Sequence, residues 1–195
     1  MARGRLVLGV LLSIVVSACG SGPAQPATGS SGASSSPDAV SLCDHRPAGS
    51  TMYSMAQESM VPTLAPGDVV VVGPPPSDAA GFHRGEVVTF VDPGGSESVF
   101  LKRIVGLPGE KVEIAAEAVK IDGQTLAEPY LSTGMKTTAM GTLSGWQLGP
   151  QDLFVLGDGR DRSQDSRSFG PITVSAVKGH ALAICAPAAR VANLP

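Results

Sequence analysis

At 195 residues and a formal net charge of −3, the chain has room for one domain with at most a small subdomain. It carries no basic footprint of the kind that binding nucleic acid requires. Aromatic residues make up 4% while Gly (24) and Pro (16) are plentiful, which favours many turns and short strands over long helices.

The chain opens with Arg3 and Arg5, an apolar run from Leu6 to Val16, and small residues before Cys19. This is the pattern of a secretory leader, 1–18, and not of a folded element. As a helix at 1.5 Å per residue, Leu6 to Ala18 reaches roughly 20 Å, short of a bilayer core of roughly 30 Å. The ending Val16-Ser17-Ala18-Cys19 looks like a lipobox, in which the cysteine is acylated and becomes the new N-terminus. An uncleaved, short membrane anchor is the alternative. In residues 20–40 all but Gln25, Asp38 and Val40 are Ser, Gly, Pro, Ala or Thr, so 19–40 reads as a lipidated cysteine and flexible linker. Such a coil spans roughly 25 Å and suits a tether to a folded body at 41–195. Cys43 and Cys185 remain and allow a single intramolecular pairing, which an extracytoplasmic location permits. Buried free thiols are the alternative.

In the body, Met52 to Met55 is apolar and extended. The valines 69–72 lie between Gly67-Asp68 and Gly73-Pro74-Pro75-Pro76, the signature of a short buried strand. Further strands are predicted at 84–91, stopped by Asp92-Pro93-Gly94-Gly95, and at 98–105, stopped by Leu107-Pro108-Gly109. Short strands follow at 111–114 and 119–121, with Asp122-Gly123 as a hairpin turn returning through 124–126. A looser Thr- and Gly-rich stretch reaches Gly149 and holds Trp146. Strands at 153–156 and 180–185 flank a polar loop at 157–170 and a helical turn at 172–177. No long 3.6-residue period appears beyond the leader, so the fold is mainly β.

Three segments carry chemistry. Ser59-Met60-Val61-Pro62-Thr63-Leu64 puts a hydroxyl before a stretch that Pro62 stiffens and Val61 extends, although such a serine is ordinarily a loop residue. A serine needs a base in reach, and His45, His83 and His180 all flank turns or strand ends. Lys102 is the better base. Strand alternation puts Phe100, Lys102 and Ile104 on one face, where desolvation lowers a lysine's pKa toward working pH. A lysine whose head reaches water is the alternative. The third segment, 157–170, holds Asp158, Arg160, Asp161, Arg162, Asp165 and Arg167; equal numbers of each sign predict an internally paired loop. Arg160 and Arg162 stand where cations would repel calcium, so no metal and no cofactor is expected.

Together Ser59 to Leu64, Lys102-Arg103 through Pro108-Gly109, and Gly157 to Arg167 resemble the type I signal peptidase family, membrane-bound serine proteases with a Ser–Lys dyad. The resemblance runs from about Met52 to Ala183 and includes Glu128-Pro129-Tyr130-Leu131. It implies a compact β-barrel-like fold with a small inserted hairpin region, Ser59 as nucleophile and Lys102 as base. It also implies that Ser163 helps hold the lysine and that Asp158, Asp165 and Arg167 support the site. The implied reaction is endopeptidase cleavage of exported preproteins after small residues, at the outer face of the cytoplasmic membrane. Gln57 stands where the family commonly has a small hydroxyl residue that contributes to the oxyanion hole. Gly159 and Arg162 stand where it usually has asparagines, and a lipid with a tether would replace the usual spanning helix. A specialised peptidase with few clients and an inactive peptide-binding lipoprotein are the competing readings.

Overall fold

The computed structural model describes residues 38–195; the predicted leader 1–18, Cys19 and the predicted linker up to 37 lie outside the described residues. The body starts at Asp38, whose carboxylate accepts the Ser41 amide at 2.8 Å and caps helix α1, Ala39–Asp44, as a short acceptor at a helix N-terminus does. Ala39 and Val40 of the predicted linker therefore belong to the fold. Ala39 and Leu42 pack on Val71 and Ala183.

Twelve strands follow: β1 Thr51–Ser54, β2 Val69–Gly73, β3 Val87–Val91, β4 Val99–Gly106, β5 Lys111–Ala115 and β6 Ala118–Ile121. Then come β7 Gln124–Thr125, β8 Gly145–Gln147, β9 Asp152–Leu156, β10 Ile172–Thr173, β11 Val177–Ala186 and β12 Ala192–Asn193. The larger sheet has the order β1-β2-β11-β3-β4-β9-β10, with β12 beside β11; the smaller has the order β7-β6-β5-β8. The valines of β2 alternate as a strand dictates. Val70 and Val72 face the core that holds Met60 and Leu64, and Val71 faces the cluster under α1. A β-branched run buried on both sides belongs in an interior strand.

The mainly β expectation holds as two antiparallel sheets. The larger is an open path from β1 to β10 with no closed barrel among the described residues, and the expected hairpin region is part of the smaller, four-stranded sheet. The two sheets share one apolar cluster, with Val105, Phe154 and Leu156 from the larger and Val112, Val119 and Trp146 from the smaller. Trp146 lies 4.6 Å from the Phe154 ring. A Cβ on Gly106 would come within 2.5 Å of Val112 Cγ2 and 2.9 Å of Phe154 Cβ, so the sheets approach this closely only over a glycine.

Asp122 and Gly123 both have positive φ and turn β6 into β7 as predicted. The β5–β6 turn uses Ala116 and Glu117, also at positive φ, with neither Gly nor Asn to announce it. Arg84 to Glu86, predicted as strand, form a turn in which the Gly85 amide bonds Ile104 O at 2.9 Å. Residues 172–177, predicted as a helical turn, are the short β10 and the 3₁₀ turn Val174–Ala176. Among the described residues no helix is long and apolar enough to cross a membrane.

Cys43 on α1 and Cys185 on β11 form a disulfide across 142 residues, with Cα atoms 5.5 Å apart. Closing so long a loop restricts the unfolded chain. Replacing both cysteines by serine is expected to lower stability by about 2–5 kcal/mol, read from the midpoint of urea unfolding. Reductant should produce the same loss in the parent and none in the variant.

Candidate active site

Ser59 sits in a turn stapled at both ends. Met55 donates to Asp68 O at 2.8 Å and receives nothing in return from that residue; its own carbonyl accepts the Gly67 amide at 2.8 Å. Inside the turn, Val61 N bonds Glu58 O at 3.1 Å and Leu64 N bonds Met60 O at 2.8 Å. Met60 and Leu64 are fully buried and anchor the turn in the core, which leaves Ser59 at its edge, 7% exposed.

Lys102 is on β4 opposite Val88 of β3 and is 3% exposed. Its Nζ donates to Ser59 Oγ at 2.9 Å and to Leu101 O at 3.0 Å, and it lies 5.1 Å from the Phe100 ring centre. Phe100 and Ile104 pack in one cluster, as their alternation predicts. Burial pushes the Lys102 ammonium down to about 8, and the carboxylates of Asp165 and Asp158 resist that shift. The arrangement brings a poorly solvated amine to a hydroxyl, which is the geometry of a base beside a nucleophile. A cavity of about 270 Å³ opens over the pair, between Tyr53 to Gln57 on one side and Ser98 to Leu101 on the other.

The loop after β9 is wired both outward and inward. Asp158 accepts both Nε and Nη2 of Arg103, at 2.9 and 2.7 Å, and the Thr63 hydroxyl at 2.5 Å. Arg103 also lies 4.1 Å from the Tyr130 ring centre, and Tyr130 O–H donates to Glu128 at 2.8 Å. Arg160 forks onto Glu128 and donates to Thr137. Within the loop, Asp165 caps α2, Ser166–Phe169, and accepts Arg167 Nε and Nη2, both at 2.8 Å, and the Gly157 amide at 3.0 Å. The expectation of internal pairing holds for Asp165 with Arg167 and for Asp161 with Arg162, while Asp158 and Arg160 reach Arg103 and Glu128. Sequence reasoning gave Arg103, Thr63, Glu128 and Thr137 no part in this wiring. Nothing in the loop's balanced charge, three of each sign, announced these outside partners.

Ser163 is buried and its Oγ has no hydrogen-bond partner, so the expected bond to Lys102 is not formed; the second bond of Nζ goes to Leu101 O. Ser163 is instead a packing neighbour of Gly157, where a Cβ would fall 2.2 Å from Ser163 Oγ and 2.4 Å from Ser59 O. Gly159 donates to Ser59 O at 3.0 Å, and a Cβ there would lie 2.6 Å from Glu58 O. A glycine at this position thus permits the loop to lie directly on the serine turn. Arg162 pairs with Glu58 at the surface. Gln57 is exposed at the rim of the cavity. His83 pairs with Glu86 at 3.1 Å, and neither it nor His45 or His180 bonds Ser59. The charged pair of Arg103 and Asp158 is 1% and 0% exposed, and removing one member leaves the other charge buried alone. Asp158→Ala is therefore expected to cost about 3–5 kcal/mol of stability, measured by urea unfolding.

A protein-family model described as "Signal peptidase, peptidase S26" matches residues 45–186. A "Signal peptidase I" of Bacillus caldolyticus is 28% identical over 137 residues, covering 65% of this chain and 74% of that protein. A "Signal peptidase IB" of Staphylococcus aureus (strain COL) is 32% identical over 145 residues, covering 66% of this chain and 74% of that protein. The crystal structure of a signal peptidase I from Enterococcus faecalis V583 matches at 31% identity and a TM-score of 0.40, over 50% of this chain and 94% of that chain. The match spans the Ser59 turn, Lys102 and the charged loop alike, and the chain belongs to the signal peptidase family, peptidase S26.

Proposed function

We propose that this signal peptidase I-like peptidase cleaves leader peptides from exported preproteins with Ser59 as nucleophile and Lys102 as general base. The observation that carries the assignment is the 2.9 Å contact between Lys102 Nζ and Ser59 Oγ, made by a lysine that is 3% exposed. The uncharged amine takes the hydroxyl proton as Oγ attacks the scissile carbonyl carbon. The resulting ammonium gives that proton to the departing amine, leaving an acyl group on Ser59. Lys102 then removes a proton from water as it attacks the acyl carbon, and Oγ leaves with the proton. The oxyanion is assigned to the Ser59 backbone amide and the side-chain amide of Gln57, which lines the same cavity. Asp158, Asp165 and Arg167 hold the loop that supports Ser59, and Ser163 fills the space beneath it.

β1 is the edge of the larger sheet and runs into the cavity wall, so a substrate in extended form can add alongside it as a further strand. A cavity of about 270 Å³ suits small side chains before the scissile bond. Chain organisation follows the leader pattern, with 1–18 removed, Cys19 acylated, the stretch from there to 37 as tether and the body from the α1 cap at Asp38 onward as the catalytic part. This anchors the enzyme by lipid to the extracytoplasmic face of the membrane, a compartment in which the Cys43–Cys185 bond persists.

With the full chain in detergent and a peptide carrying Ala-x-Ala before the scissile bond, Ser59→Ala and Lys102→Ala should each lower kcat by about 10³-fold or more. No turnover in any of the three proteins would favour peptide binding without catalysis. Since only the neutral amine accepts a proton, kcat/KM of the parent should be low below pH 7 and rise to a plateau with a midpoint near 8. Cells fed a labelled fatty acid should label the parent but not Cys19→Ser, which should also leave the membrane fraction.

A further inference from the structure

The C-terminal tail lies beyond the stretch matched by the family model, which ends at 186. It nevertheless returns to the serine turn. After β11 the chain makes a 3₁₀ turn, Ala188–Arg190, closed by Arg190 N on Pro187 O at 2.8 Å. β12 then lies back along β11, with Ala183 opposite Asn193 and Ile184 opposite Ala192. Leu194 N bonds Leu182 O at 2.8 Å. This folded-back tail aims Arg190 at the turn. Its Nε donates to Asp68 Oδ1 at 2.7 Å, and its Nη2 donates to Asp68 Oδ2 at 2.9 Å and to Thr63 O at 3.0 Å.

Both partners are hubs. Asp68 is 1% exposed; its carboxylate also accepts the Ala65 amide at 2.8 Å, and its carbonyl accepts the Met55 amide. Thr63 donates its hydroxyl to Asp158 and accepts Arg103 Nη2 at 3.0 Å. One guanidinium thus spans the far limb of the turn from residue 63 to residue 68, while Gly159 holds the near limb at Ser59 O. A planar fork fits a carboxylate and a carbonyl together in a way that a point charge does not.

We propose that Arg190 is a positioning residue: through Asp68 and Thr63 the C-terminal tail clamps the turn that sets Ser59 Oγ against Lys102 Nζ. The catalytic part of this proposal rests on the peptidase reading above. A serine displaced by a fraction of an ångström still binds peptide in the cleft but reacts poorly, so the effect falls on kcat. Global loss of stability instead lowers the folded fraction without changing the turnover of folded molecules.

The test uses the full chain, the Ala-x-Ala peptide and four proteins: the parent, Arg190→Gln, Arg190→Lys, and Val119→Ala in the core of the smaller sheet as a stability control. At a temperature where all are folded, Arg190→Gln should lose about 10- to 100-fold in kcat, as a small misplacement of reacting groups does, with KM close to the parent's. Arg190→Lys should recover part of the loss, and Val119→Ala should keep the parental kcat despite a lower Tm. Amide hydrogen exchange should quicken at Val61, Leu64 and Gly67 in Arg190→Gln while β4 keeps its protection. Parental kcat in Arg190→Gln, or exchange that quickens equally in β4 and the turn, would overturn the clamp. A parent that cuts no peptide would remove the peptidase reading, and with it the catalytic role of Arg190, whatever the exchange shows.

Discussion

The contact between the Lys102 amine and the Ser59 hydroxyl depends on a balance of charge and solvent. Burial alone drives a lysine toward its neutral form, yet two carboxylates, Asp158 and Asp165, stand close enough to oppose that shift. Each carboxylate is gripped by two donors of one arginine, Asp158 by Arg103 and Asp165 by Arg167. Desolvation nevertheless outweighs both carboxylates, and the lysine's pKa falls to about 8.

The same charges also do mechanical service. Asp158 joins the loop to β4 through Arg103 and to the serine turn through Thr63. Gly159 brings the loop backbone onto Ser59. Position 59 is therefore held by the core through Met60 and Leu64, by the loop from one side and by the tail from the other. Each support alone would leave a turn free to shift; their convergence gives one geometry, which is what proton transfer over 2.9 Å demands.

Departures from the family pattern also acquire reasons from packing. Gly159 occupies a place where a Cβ would press on Glu58 O, and the adjoining Arg162 answers Glu58 at the surface. The two residues act together, Gly159 letting the loop backbone close on the serine turn and Arg162 pairing the Glu58 carboxylate brought near by that closure. In the same tightly packed corner the Ser163 side chain occupies the space that Gly157, lacking a Cβ, leaves open.

The sequence by itself determined the local pieces. The valines of β2 could only be a buried strand between Gly-Asp and Gly-Pro punctuation, Asp122-Gly123 could turn in the left-handed region, and Ser59 and Lys102 stood out in recognisable segments. It left unannounced whatever depends on a distant partner. The β5–β6 turn puts Ala116 and Glu117 at positive φ, against their own preference, because the strands on either side pair. β8 is three residues long and exists because β5 accepts it. Open sheet or closed barrel was undetermined for the same reason, since alternation says which face is buried but not whether the first strand meets the last. Arg103 with Asp158 and Arg190 with Asp68 lie 55 and 122 residues apart. Only the tertiary structure decided those pairings, because a charge in a sequence has many candidate partners, and burial in the fold leaves it one.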